Sequence, residues 1–224
     1  MLEAVRYGPQ ALLLRFAETV GEPAFQQGRA IVAELERRPP AGLVECVPGF
    51  TTILLRFDSS QTGNLPWLGR YITDQLAHVS GEQLPTGPVK TIPVIYDGED
   101  LEALAQEKGL SITDVIQLHS APVYKVYLLG FSPGFPYLGE LHPRLHTSRR
   151  PTPRSRVAAG SVAIGGEHTG IYSVDSPGGW RVIGRTNVPM FQTERLSATS
   201  RPDEVFLLRA GDRVRFEPLG IDRP

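Results

Sequence analysis

Cysteine is nearly missing: Cys46 is the one thiol in 224 residues. No internal disulfide can form and no cysteine-based zinc site can be built, which leads us to expect a reducing, cytoplasmic setting. Long apolar runs are missing too. None approaches the roughly 20 residues that cross a bilayer, and the start, MLEAVRYGPQ, lacks the basic-then-apolar order of a secretion signal. A membrane partner is therefore not expected. Lysine is scarce throughout, and acid is outnumbered by base in one half only. Residues 121–224 hold 13 Arg and one Lys against 9 acids, a balance of +5, while residues 1–120 hold 9 basic and 15 acidic residues, a balance of −6. The two sum to −1, so the positive excess of a nucleic-acid binder is not there. Four motifs are also missing: GxxxxGK[ST], GxSxG, HExxH and GxGxxG. No metal-ligand set and no complete catalytic constellation is visible. These absences favour a site shared with another protein, or a regulator without catalysis of its own.

What is present follows two grammars. The first ninety-odd residues alternate strand and helix. Ala11–Phe16 reads as a strand, and Pro23–Arg38 as a helix with Phe25, Gly28, Ile31, Val32 and Leu35 at helical spacing, stopped by Pro39-Pro40. Leu43–Val47 and Thr51–Phe57 are β-branched runs split by Pro48-Gly49, which predicts a hairpin. Asn64 can cap a second helix bearing Leu65, Leu68, Ile72, Leu76 and Val79. Val89–Tyr96 completes the order β-α-β-β-α-β, and Pro93 places that last strand at an edge. Two short helices follow. Ser111 and Asp114 resemble a capping box, and His119 lies near a helix end that would stabilise its cation, although a structural role is the better expectation for it.

From Ala121 helical periodicity gives way to short β runs between Pro/Gly turns: Val123–Leu129, Val157–Ile164, Thr169–Val174, Arg181–Thr186, Val205–Leu208 and Arg213–Phe216. A closed or sandwich-like β domain is expected. The predicted organisation is an N-terminal α+β domain over 1–97, a helical connector over 98–120 and a β-barrel domain over 121–224.

Three segments of the second half carry the candidate chemistry. GFSPGFPYLG (130–139) packs three glycines, two prolines and three aromatics into ten positions. Phe135 and Tyr137 supply flat surface, which serves equally to hold a planar ligand or to plug a barrel end. The Pro-Gly steps at Gly134 and at Gly178-Gly179, the second followed by Trp180, predict type II turns. Next, LHPRLHTSRRPTPRSR (141–156) has five arginines and no acid. Arg149, Arg154 and Arg156 are the candidates there, and their anions must come from the N-terminal half, a partner or a phosphate or carboxylate ligand. Arg154→Ala is expected to leave folding intact and to weaken activity or partner binding. Last, His168 sits between a Gly-Gly turn and a strand, where an imidazole can transfer protons or simply face solvent. Arg185, in Gly184-Arg185-Thr186, completes the set.

GFSPGFPYLG (130–139), RRPTPRSRVAAGSVAIGG (149–166), HTGIYSVDSPGGWRVIGRT (168–186) and AGDRVRF (210–216) occur in the order, and with the density, of one family. Over essentially its whole length the chain resembles the allophanate hydrolase subunit 1 family, also called the KipI family. That family includes the B subunit of the bacterial ATP-dependent 5-oxoprolinase. The resemblance implies a small N-terminal α+β domain, which the element order makes ferredoxin-like, followed by a cyclophilin-like β-barrel. It implies a partner, either allophanate hydrolase subunit 2 or the C subunit of 5-oxoprolinase, together with the A subunit. It implies ATP with Mg at the level of the complex and no tightly bound cofactor in this chain alone. The expected function is that of the B subunit, which helps activate 5-oxoproline for hydrolysis to glutamate and is inactive alone.

Two other family roles stay open: the carboxyltransferase half of a urea carboxylase, and inhibition of a histidine kinase. The absence of biotin-carboxylase and biotin-carrier segments favours the first reading over the carboxyltransferase. In the implied roles, Arg149, Arg154 and Arg156 hold an anion and Phe135, Tyr137 and Trp180 wall a cleft. Gly134, Gly178 and Gly179 let backbone N–H groups approach. The chain departs from the family at Ala158 and Ser173, where proline is usual, and at His168, where glutamine is usual.

Overall fold

Alternating apolar residues in the N-terminal strands and an i, i+3, i+4 stripe on its helices dictate a sheet with helices on one face. The computed structural model, which describes residues 2–58, 65–81, 87–197 and 199–220, shows that arrangement. The chain divides into two compact units, Met1–Pro85 and Thr86–Pro224.

The first unit runs β1 (Glu3–Arg6), β2 (Ala11–Arg15), α1 (Glu22–Arg37), β3 (Leu43–Pro48), β4 (Thr52–Phe57) and α2 (Leu65–Leu76). Its sheet has the order β1-β2-β4-β3, antiparallel throughout. Leu12 and Leu14 of β2 and Ile53, Leu55 and Phe57 of β4 point to one face. There they meet Ile31 and Leu35 of α1 and Leu68, Ile72 and Leu76 of α2 in one core. The hairpin at Pro48-Gly49 forms as expected. The proposed cap, Asn64, lies outside the described residues.

The second unit contains β5 (Val89–Val94), α3 (Leu101–Lys108), α4 (Ile112–Ser120), β6 (Val123–Leu129), β7 (Pro136–Gly139), β8 (Arg154–Val157), β9 (Ser161–Gly165), β10 (His168–Ile171), β11 (Ser176–Gly178), β12 (Arg181–Arg185) and β13 (Arg213–Pro218). Seven strands form one sheet, β12-β9-β10-β7-β6-β13-β5, and β11 and β8 form a separate ribbon. The sheet curls until its ends meet. Ile95, just past β5, and Arg185 of β12 exchange backbone hydrogen bonds of 2.9 and 2.8 Å. Asp100 N–H donates to Val182 O at 2.9 Å in the same seam. The Ser111–Asp114 capping box at the start of α4 forms with both hydrogen bonds at 3.0 Å.

Three expectations change. The strand at Val89 does not complete the first sheet; it lies parallel to β13, from Val89 opposite Arg213 to Val94 opposite Pro218. The element order of the first unit is thus β-β-α-β-β-α. Pro93 is nonetheless on an edge strand, as its missing N–H requires. The aromatic segment, left out of the predicted β runs, is partly strand: Pro136–Gly139 is a central strand between β10 and β6. The run at Val205–Leu208 forms no strand: Val205 ends a short helix and Phe206 makes one bridge to Phe191.

Strand β9 is buried along its whole length. Val162 and Ile164 look into the main core with Leu104, Val115, Val126 and Phe216. Ala163 looks the other way, into a second cluster with Phe135, Val157, Tyr172, Trp180 and Val182. Burial on both faces explains why Val162-Ala163-Ile164 reads as a continuous apolar run rather than an alternation.

Candidate functional site

The second cluster is where the sequence-derived candidates meet. Phe135, on the turn into β7, is the hub. Its ring stands edge-to-face with Tyr137 at 5.2 Å, Tyr172 at 5.3 Å and Trp180 at 5.4 Å. Tyr137 also meets Trp180 at 5.7 Å. Edge-to-face rings place the positive edge of one on the negative face of the next, worth about 0.5–1.5 kcal/mol per pair beyond burial. Two glycines make the packing possible. A Cβ at Gly165 would lie 2.6 Å from the Trp180 ring, and one at Gly178 would lie 2.1 Å from the Tyr172 hydroxyl. Phe135 and Trp180 are buried and Tyr137 is half-buried. Phe131 is 61% exposed and lies over Phe135 and Tyr172 at 5.5 and 6.2 Å. Its φ is +69°, the left-handed region that an L side chain enters at a cost of about 1–2 kcal/mol.

The two Pro-Gly steps differ. Gly134 takes φ +78°, as a type II turn asks. Ser176–Gly178 is instead strand β11, paired with β8. Gly178 is required there by the approach of Tyr172, not by a turn. Gly179 O accepts from Arg150 N–H at 2.7 Å.

The arginines are sorted by acids that no local pattern announces. Asp100, 3% exposed, receives Arg154 Nη1 and Nη2 at 2.8 and 2.9 Å, Arg150 Nη1 at 2.8 Å and the Val182 N–H at 2.7 Å. Burial alone would raise the Asp100 pKa. The Arg154 hydrogen bonds, the Val182 N–H and both guanidinium charges outweigh it and hold the carboxyl below its ordinary range. Arg154 Nε also reaches Glu99 at 3.0 Å. Arg156 pairs with Asp175 at 2.6 Å on the surface, Arg181 with Glu107 at 3.2 Å, and Arg185 with Asp97 at 2.9 Å. Arg149 alone of the predicted arginines has no acidic partner among the described residues, and its charge acts on Tyr137 and Tyr172. Asp97, Asp100 and Asp175 were not among the predicted site residues. Asp100 had no signal to offer, since its partners lie 50 and 54 positions away.

His168 borders the cluster, 6.5 Å from Tyr137 and 6.1 Å from Tyr127 between ring centres. Burial depresses its pKa, against the Glu167 charge and a hydrogen bond with the Leu138 backbone. His119 is not at a solvated helix end. It is fully buried, stacked on Phe216 at 4.6 Å. Burial overrides the helix dipole and pushes its pKa down to about 3. Thr169 Oγ1 donates to Ala163 O at 3.0 Å and so accepts from His119 Nε2 at 2.8 Å, which leaves Nδ1 to accept from the Tyr96 hydroxyl at 2.7 Å. The neutral ring has one satisfied tautomer. Among the described residues no group of three or more His, Cys, Asp or Glu could hold a metal ion, and no helix is long and apolar enough to cross a membrane.

Comparison with known proteins agrees across most of the chain. Residues 2–200 match the family model of the carboxyltransferase domain, subdomain C and D. The chain is 36% identical over 221 residues to the B subunit of 5-oxoprolinase from Bacillus subtilis, covering 93% of this chain and 89% of that protein. It is 43% identical over 180 residues to the B subunit of 5-oxoprolinase from Escherichia coli O157:H7, covering 79% of this chain and 78% of that one. The crystal structure of Kluyveromyces lactis urea carboxylase superposes with a TM-score of 0.79 at 20% identity, over 98% of this chain. At that identity the likeness bears on fold, and the chain spans 22% of that larger protein.

Proposed function

The chain belongs to the carboxyltransferase-domain family of subdomains C and D, and from that premise we propose that it is the B subunit of an ATP-dependent 5-oxoprolinase. The observation that carries the proposal is 36% identity to a 5-oxoprolinase B subunit in an alignment that covers 93% of this chain and 89% of its relative. In this reading the chain works with a C-subunit protein to activate 5-oxoproline, and the A subunit completes the opening to glutamate. ATP and Mg enter at the level of the complex, and the chain is inactive alone.

The aromatic face and the arginine segment form this chain's half of the shared site. Phe135, Tyr137 and Trp180 build the wall, and Gly134 and Gly179 turn backbone toward it. His168, kept neutral near pH 7 by its burial, is the proton-transfer residue of the half-site. Arg154, Arg156 and Arg185, engaged by acids, act by shaping the rim. Co-expression with the A and C subunits, followed by an assay of ATP-dependent glutamate release from 5-oxoproline, tests the proposal. A well-folded, co-purified complex that releases no glutamate overturns it. The family model also supports a second reading, a carboxyltransferase half that receives a carboxyl from biotin. Carboxyl transfer from carboxybiotin by the same complex would favour that reading.

A further inference from the structure

Arg149 differs from the arginines that surround it. Arg150, Arg154, Arg156, Arg181 and Arg185 each bind a carboxylate of this chain. Arg149 binds none among the described residues. Arg144 shares that condition, but its charge acts on Asp114 of α4, away from the aromatic cluster. The backbone holds Arg149 in place from both sides. Thr147 exchanges hydrogen bonds of 3.2 and 2.7 Å with Gly166, and Arg150 N–H donates to Gly179 O at 2.7 Å. The Arg150 side chain is drawn to Asp100, while its neighbour, Arg149, is exposed and its charge opposes the effect of burial on the Tyr137 and Tyr172 hydroxyls. Beside Tyr172 and Phe135 stands Phe131, exposed and held at a left-handed φ.

One uncompensated guanidinium beside an aromatic face suits a small ring carrying one carboxylate: the fork takes the carboxylate and the rings take the flat part. It does not suit a triphosphate. Phosphate sites gather several backbone N–H groups, a lysine and Mg²⁺ around each nucleotide, whereas the other cations of this region are neutralised by Asp97, Glu99, Asp100, Glu107 and Asp175. We infer that this chain contributes the substrate-carboxylate subsite of the shared site, through Arg149 at the border of the aromatic cluster with the exposed Phe131 and half-buried Tyr137, and that the nucleotide phosphates are held by another component of the complex. The inference rests on the 5-oxoprolinase reading and divides its two substrates between different chains.

The test is steady-state kinetics of the reconstituted complex carrying Arg149→Gln or Arg149→Lys, with 5-oxoproline and ATP varied separately. Arg149 is exposed, so the variants' melting temperatures should match the wild type. For Arg149→Gln the KM for 5-oxoproline rises on the order of 10–100-fold, the loss of one charge-assisted contact, and the KM for ATP does not move. Arg149→Lys recovers part of the loss. A second arm uses the neutral amide of 5-oxoproline as competitive inhibitor. It binds the wild type more weakly than the free acid does, and this preference vanishes in Arg149→Gln. An active wild-type complex whose Arg149→Gln form raises the KM for ATP alone, or moves neither KM, overturns the inference while the function stands. A wild-type complex inactive on 5-oxoproline overturns the function reading and the inference with it.

Discussion

Arg154 grips Asp100 with two nearly parallel hydrogen bonds, Nη1 to Oδ2 at 2.8 Å and Nη2 to Oδ1 at 2.9 Å, and both side chains are largely buried. The same carboxylate takes Arg150 and the Val182 N–H. A single acid therefore ties the arginine segment to the seam where the sheet's two ends meet.

Removing that acid leaves Arg150 without its carboxylate and the largely buried Arg154 with only the exposed Glu99. Asp100→Ala should destabilise the protein by about 3 kcal/mol, the low end for breaking a buried ion pair. In a chain of this size that is roughly 6–12 °C in melting temperature. Arg154→Ala should fall by a comparable amount, which replaces the sequence-based expectation that its folding would be intact. Calorimetry of both variants decides the matter. An Arg154→Ala protein that melts with the wild type would mean that Asp100 is adequately satisfied by Arg150 and Val182 alone.

Arg156 provides the contrast. Its partner, Asp175, is on the surface, where water and salt screen the pair. Arg156→Ala should leave the melting temperature essentially unchanged. A loss as large as that of Arg154→Ala would show that the β8–β11 ribbon depends on this pair.

His119 should give stability a pH dependence. Its folded pKa is about 3, below the roughly 6.5 of an unfolded histidine. Between those values the unfolded chain binds a proton that the folded chain does not, so stability rises with pH. The full contribution is present above about pH 6.5. It is lost as pH falls toward 3, with a slope of up to about 1.4 kcal/mol per pH unit. Urea denaturation from about pH 4 to 8 measures it, and His119→Gln should flatten the slope. Equal slopes in the two proteins would assign the acid sensitivity to other groups.

Gly165→Ala should disturb Trp180 specifically, because the new methyl would sit 2.6 Å from its ring. Overpacking of this kind costs about 1–3 kcal/mol. The fluorescence of Trp180, buried in the wild type, should shift toward the red as the ring is displaced outward. Unchanged emission and stability would mean that the cluster has room to yield.

Local physics made much of this protein readable from its residues. Helix α1 is written in Phe25, Ile31 and Leu35, the α4 start in Ser111 and Asp114, the β3–β4 turn in Pro48-Gly49, and the edge position of β5 in Pro93. Each depends on neighbours within a few positions. The aromatic-rich and arginine-rich segments announced themselves by composition, and their motifs identified the family. What needed the tertiary structure was every choice between distant partners. Nothing local says that Val89–Val94 lies beside β13, more than a hundred residues on, rather than in the first sheet. Nothing local says that Asp100 neutralises Arg150 and Arg154 while Arg149 keeps its charge. Those outcomes are set by which surfaces become buried together and which charges must then be compensated. Burial and compensation belong to the folded whole, so the sequence could mark the arginines as a group, and only the fold could separate Arg149, which binds no carboxylate among the described residues, from Arg150 and Arg154, which hold the structure.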